Sequence, residues 1–401
     1  EYHGRSIGRR LLQATIERSV QEGWGHQTLG TWPANFKSVP AYKRTGHFWR
    51  PDSAAWMENF VPGALQMPLA KPFFERHDWY ASYVRRIEQQ PDDERWEGLK
   101  VYTQHWEAED ESLTIWIDRE ALAPCAIETD EVLVAAIAQE LEPLQGTTAA
   151  VRWRIQNKRP DPLRVHIHAM GSDGLEIDHR EAFVVPPGLS VEHVAPVKVT
   201  DKAPRAKRNG AAPAVRSIVS MGHDEVELYS GMRARQPLSL ASEPGEIALT
   251  PGVPMTVGLA LHSELDAPLS GVLTLVPPEG LTVDWRERQV TLEPKGYLRL
   301  PVTVQVAQVG VFTLHARLTP ESDASAPLKE DLTLFCLGAG GVLGYLAGDS
   351  ARLETDTVRL AVSARHGSLS LQHKDGQVGL LTAVPYIGPP YYPSDFDKNH
   401  F

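Results

Sequence analysis

The chain has 401 residues, room for several domains at roughly 150 residues each, and its 42% hydrophobic and 23% charged composition excludes wholesale disorder. Forty Lys and Arg against 51 Asp and Glu give a net charge of -11, which argues against a nucleic-acid phosphate grip or an anionic membrane surface as its main partner. Thirty-one Pro and 31 Gly point to many turns and few long helices, and two cysteines, Cys125 and Cys336, cannot build a disulfide framework, so a reducing, cytoplasmic compartment is the expectation.

Taken in chain order, residues 1–50 read helix, strand, helix, strand. Ile7, Leu11, Leu12, Ile16 and Val20 recur at helical spacing, and Gly23 supplies a stop. Residues 27–32 form a short predicted strand. Asn35 or Ser38 caps a second helix with Pro40 near its first turn, Gly46 ends it, and residues 47–49 are extended. Residues 51–110 read as an aromatic-rich helical connector, because eight of the ten tryptophans fall in the first 116 residues.

Beyond about residue 145 the chain becomes short alternating segments divided by Pro and Gly. An internal repeat runs through them: Pro162, Leu163, Gly174, Leu175, Asp178, Arg180 and Glu181 recur 106 residues later as Pro268, Leu269, Gly280, Leu281, Asp284, Arg286 and Glu287. That period fits two tandem immunoglobulin-like sandwiches, expected at residues 111–200 and 241–340, with a linker and basic loop at 201–240. Residues 341–401 read as the start of a further β domain. The expected class is therefore a multidomain mixture of α/β and all-β parts. No stretch spans a bilayer; residues 376–394 are uncharged but hold four prolines.

The segment His3, Gly4, Arg5, Ser6, Ile7, Gly8, Arg9 opens the first helix. Glycines there admit backbone N–H groups to an anion, and the helix terminus and arginines favour a pyrophosphate. Asn35 and Tyr42 are seven apart, so a helix beginning at Asn35 places both on one face, offering an amide to an extended ligand and a phenol as proton donor.

On these residues the chain resembles the GNAT superfamily of N-acetyltransferases. His3 to Gly8 overlays the family's Arg/Gln-x-x-Gly-x-Gly/Ala loop, with His3 and Ser6 in place of the usual residues, and Asn35 to Phe48 matches its Asn-x-x-Ala/Ser-x-x-x-Tyr segment followed by Gly and Phe. The resemblance covers about 50 residues, the C-terminal half of such a domain. It implies acetyl-CoA as co-substrate, its pyrophosphate on the loop from His3 to Arg9, Asn35 on the pantetheine arm, and Tyr42 as general acid toward the departing thiolate. It also implies acyl transfer to a small-molecule or protein amine. The opening at Glu1, within the motif, makes the chain an expected fragment whose general base lies upstream.

Weaker signals have simpler readings. His166 and His168 share a strand face and could bind zinc, but read as solvent-facing because the repeat copy has Val272 and Thr274 there. Gly338, Gly340 and Gly344 read as a turn, and Glu107, Glu109, Asp110 and Glu111 as a solvated turn; no metal site is expected. Tyr386, Tyr391, Tyr392 and Phe396 suggest a sugar-stacking edge, and residues 357–375 are vaguely similar to the opening of sandwiches in glycosidases and mutarotases. They support the alternative, a carbohydrate-binding or cell-surface multidomain β-sandwich protein.

Overall fold

The computed structural model describes residues 7–32, 35–50, 56–85, 87, 92, 94–204, 210–243, 247–321, 327–337, 341–347, 350–355, 357–363, 368–373 and 379–383. The chain divides into two compact units, Glu1–Arg235 and Gln236–Phe401. It is a multidomain, β-rich chain of several mainly antiparallel sheets, and its described residues are 57% strand and 11% helix. No helix among the described residues is long and apolar enough to cross a membrane.

The first unit opens with α1 (Ile7–Gln21), β1 (Gln27–Gly30), α2 (Val39–Arg44), β2 (His47–Trp49) and β3 (Trp56–Asn59). The three strands form a small antiparallel sheet in the order β1-β3-β2. Three short helices follow, α3 (Val61–Gln66), α4 (Lys71–Arg76) and α5 (Trp79–Ser82). Pro at the start of α3 and α4 costs no hydrogen bond there, and Asp78 Oδ1 caps α5 by accepting from the Ala81 N–H at 2.7 Å.

Twelve strands complete the unit: β4 (Glu94–Trp96), β5 (Leu99–Ala108), β6 (Glu111–Asp118), β7 (Ala123–Thr129), β8 (Val132–Ala138), β9 (Thr148–Asn157), β10 (Leu163–Gly171), β11 (Leu175–Glu176), β12 (Asp178–Val185), β13 (Ser190–Val199), β14 (Ala214–Met221) and β15 (Asp224–Gly231). They form an eight-stranded sheet, β11-β13-β9-β8-β7-β6-β5-β4, and a four-stranded sheet, β12-β10-β14-β15, around one core. The indole N–H of the fully buried Trp153 on β9 crosses that core to Ser217 Oγ on β14 at 2.9 Å. The aromatic residues of 51–110 anchor the N-terminal layer. Trp106 on β5 is completely buried against Phe74 and Tyr83, and Phe48 stacks on Tyr102 at 4.9 Å; losing such a ring costs about 3–5 kcal/mol.

The eight-stranded sheet is not flat. Four strand spacings of about 4.8 Å separate β5 from β9, about 19 Å in a flat sheet. Yet Glu97, in the β4–β5 turn, pairs with Arg152 at 2.9 Å and Arg154 at 2.8 Å on β9. The sheet therefore curls back on itself, and β8, an unbroken apolar run, is buried on both faces.

Two domain expectations change here. Residues 201–240 are not a linker throughout, because Val215, Val219, Met221, Val226 and Leu228 alternate into the core and make β14 and β15 part of the first sandwich. Likewise residues 51–110 are only partly helical, since β3, β4 and β5 all lie within them.

The second unit contains β16 (Leu238–Glu243), β17 (Ile247–Leu249), β18 (Met255–Ser263), β19 (Leu269–Val276), β20 (Leu281–Val283), β21 (Glu287–Leu292), β22 (Tyr297–Val306), β23 (Gly310–Pro320) and β24 (Leu328–Cys336). Its two sheets run β16-β18-β22-β20 and β17-β24-β23-β19-β21. Those orders reproduce β8-β9-β13-β11 and β15-β14-β10-β12 of the first unit, strand for strand, with β17 added by a parallel pairing to β24. The turns before β11 and β20 hold Gly174 at φ 85° and Gly280 at φ 83°, a backbone region that glycine enters without strain.

A last sheet follows in the order β25-β26-β27-β28-β29, made of β25 (Leu343–Ala347), β26 (Ser350–Glu354), β27 (Val358–Ser363), β28 (Leu369–His373) and β29 (Gly379–Ala383). Gly344 lies in β25, whereas Gly338, Gly340 and the aromatic residues Tyr386, Tyr391, Tyr392 and Phe396 lie outside the described residues.

Candidate functional site

His3, Gly4, Arg5 and Ser6 lie outside the described residues. Ile7, Gly8 and Arg9 form the exposed first turn of α1, and the Arg9 guanidinium lies 5.7 Å from the centre of the Tyr80 ring. Asn35 precedes α2, so it shares no helix face with Tyr42. Its Oδ1 accepts from the Ser38 N–H at 3.2 Å, and its Nδ2 donates to Thr31 Oγ1 at 3.3 Å. Tyr42 packs into a small cluster with Val39, Trp49 and Met57.

Sequence reasoning passed over a set of buried ionisable groups between this layer and β5. Glu58 on β3 is fully buried and paired with His26 and, at 3.3 Å, with Arg50; His26 stacks on Phe60. Lys43, also buried, donates to both oxygens of Asp92 at 2.5 and 2.6 Å, and Asp92 further accepts from the Trp49 N–H at 2.6 Å. Tyr102 Oη donates to the Trp49 carbonyl at 3.1 Å, and burial pushes its phenol well above the usual range. Burial also holds His47 down at about 4, with its Nδ1 3.1 Å from the Tyr42 carbonyl. Each carboxylate here faces a basic side chain, which suits a structural seam. No spacing in the sequence relates Lys43, Glu58 and Asp92, and Asp92 stands in the polar stretch 89–95, so only the carboxylate of Glu58, in a mostly apolar stretch, was out of place.

A different arrangement stands open on the second unit. In β22, Tyr297, Arg299, Pro301, Thr303 and Gln305 face outward while Leu300, Val302, Val304 and Val306 fill the core. Glu243 of β16 lies two strands away, about 10 Å. Tyr297 Oη nevertheless donates to Glu243 Oε1 at 2.8 Å, and Arg299 Nε lies 3.0 Å from Oε2. Both side chains must therefore cross the intervening β18. Its facing residues are His262 opposite Tyr297, Ala260 opposite Arg299 and Gly258 opposite Glu243, so the line from Tyr297 to Glu243 passes the small residue Ala260. A Cβ at residue 258 would meet Arg299 Nε at 2.6 Å, which confirms the crossing. The Tyr297 ring is thus laid along the sheet, tethered at its hydroxyl and still 56% exposed. The Glu243 carboxylate raises its phenol by accepting that hydrogen bond.

Several other described histidines make local contacts. His168 lies 3.6 Å from Asp178, and His179 and His193 both pair with Glu181. Among the described residues, no group of three or more His, Cys, Asp or Glu side chains is arranged to hold a metal ion. Glu111 of the acidic run is engaged by Arg76 at 2.7 Å and His77 at 3.1 Å.

No family model matches the chain, and no curated protein matches it. Solved structures similar to parts of it include red sea bream transglutaminase, with TM-score 0.28 and 17% identity over 51% of this chain and 31% of that one. Native E. coli alpha-2-macroglobulin gives TM-score 0.28 and 11% identity over 57% of this chain and 19% of that one. A Salmonella alpha-2-macroglobulin mutant gives 0.29 and 13% over 60% and 19%. The chain thus spans less than a third of the length of each.

These findings correct the N-acetyltransferase resemblance. The described residues are strand-dominated, and α2 begins too late to align Asn35 with Tyr42. GNAT membership and acyl transfer to an amine, with Tyr42 as its general acid, are accordingly withdrawn.

Proposed function

We propose that the chain is a carbohydrate-binding, multidomain β-sandwich protein whose tandem immunoglobulin-like sandwiches present a ligand face. The observation that carries this reading is the exposed Tyr297 ring, tethered across β18 to the Glu243 carboxylate that Arg299 also reaches. A sugar ring has an apolar C–H face and a rim of hydroxyls. The tyrosine face suits the first, and a neighbouring carboxylate and guanidinium suit the second by accepting from and donating to hydroxyl groups. Because the ring is already fixed, little side-chain entropy remains to be lost on binding. Cys125 and Cys336 are both buried free thiols, which supports keeping a reducing, cytoplasmic compartment as part of the proposal.

Affinity electrophoresis of the full chain through gels containing soluble neutral polysaccharides tests the reading. Retardation by at least one glycan, lost in Tyr297→Ala with an unchanged circular dichroism spectrum, is the expected result. Equal mobility in every glycan gel overturns it.

A further inference from the structure

We infer that this face binds the interior of an extended, uncharged glycan chain lying along β22, with a second subsite at Thr256 and Thr303. The inference rests on the carbohydrate reading and specifies its ligand. Past Arg299, the outward row of β22 continues through Pro301, Thr303 and Gln305, so the row from Tyr297 runs roughly 27 Å at about 3.4 Å per residue. Beside it, β18 contributes Thr256, whose hydroxyl lies 3.4 Å from that of Thr303, and β20 contributes Thr282 opposite Gln305.

The distal half of the row therefore offers hydroxyl and amide groups and no cationic side chain; the one carboxylate beside it, Asp284, accepts the Thr303 N–H at 2.9 Å. At the tyrosine end Glu243 and Arg299 neutralise each other. Such a strip offers an anionic sugar no unpaired cation to bind. It offers a neutral polyol hydrogen-bonding partners spaced well beyond the length of one sugar ring. Both ends of the row lie on an open sheet face rather than in a closed cavity, so neither selects a chain terminus.

Isothermal titration of the full chain with neutral gluco-, manno- and xylo-oligosaccharides, from monosaccharide to hexasaccharide, tests this directly. Affinity should rise with chain length by about tenfold or more in the series that binds, and Thr303→Val should remove a factor of about two to ten of that gain, the worth of one hydrogen bond. The same substitution should leave the shortest binding sugar unchanged, because that sugar occupies the Tyr297 end. A monosaccharide that binds as tightly as the hexasaccharide, or a Thr303→Val chain that loses affinity equally at every length, overturns the extended-chain inference and leaves the carbohydrate reading standing. Absence of binding at every length overturns both.

Discussion

Two buried groups in the first unit should hold its acid stability nearly level by opposing each other. His47 is pushed down to about 4 by burial, from an ordinary 6.5. Its folded form favours the neutral ring, so its contribution is fully present above pH 6.5 and is lost as pH falls toward 4. At about 1.36 kcal/mol per pH unit, that interval is worth about 3 kcal/mol. Asp118 is pushed up to about 7 by burial, from an ordinary 3.8, although it accepts backbone N–H groups of Gly231 at 2.6 Å and Glu120 at 2.8 Å. Its folded form favours the protonated acid, so its contribution is fully present below pH 3.8 and is lost as pH rises toward 7, about 4 kcal/mol in all. Urea unfolding followed by tryptophan fluorescence at several pH values from 4 to 7 should show a shallow profile for the native chain. Asp118→Asn should unmask the His47 slope, with stability climbing by about 3 kcal/mol as pH rises from 4 to 6.5. His47→Gln should unmask the opposite slope. Ordinary surface carboxylates add the same background to all three chains, so the differences between profiles carry the result. Three parallel profiles would refute the reasoning.

Three further substitutions and one double variant test the frame. Gly174→Ala should cost about 3 kcal/mol or more in urea unfolding, because its Cβ would lie 2.1 Å from the Ala203 Cα at a position with φ 85°. Gly280→Ala, at the equivalent turn of the second unit, meets only a Phe312 side-chain atom at 3.5 Å and should cost mainly the conformational strain, about 1 kcal/mol. Lys43→Met should destabilise the first unit by about 3–5 kcal/mol by leaving Asp92 unpaired, and the double variant Lys43→Met, Asp92→Leu should recover a large part of that loss in the same assay.

The strand pattern beyond residue 145 was legible because burial there alternates with period two, as in Val151, Trp153 and Ile155, and because the turn glycines 174 and 280 mark equivalent corners. The basic stretch before residue 214 hid β14 and β15, since its charge and prolines read as loop and masked the alternation that begins at Val215. The N-terminal motif misled for another reason. Asn35 and Tyr42 have helical spacing in sequence, but the Asn35 side chain closes its own turn through Ser38, and the helix starts only at Val39.

The open site was illegible for a geometric reason that also says where such sites should be sought. Glu243, Ala260 and Tyr297 belong to three different strands, and no spacing along the chain relates them. What joins them is the sheet order β16-β18-β22, which sets a carboxylate two strands from a phenol and puts small residues between. Were residue 260 a leucine, the tyrosine would have to stand up from the sheet, its hydroxyl could no longer reach Glu243, and the flat ring face would be lost. The small residue on the central strand therefore carries as much of the proposed recognition as the aromatic itself. Ala260→Leu should abolish glycan retardation as fully as Tyr297→Ala, while a substitution of similar size at the outward Gln305, beyond the ring, should leave binding of the shortest sugar intact. Retained retardation in Ala260→Leu would sink the flat-ring account.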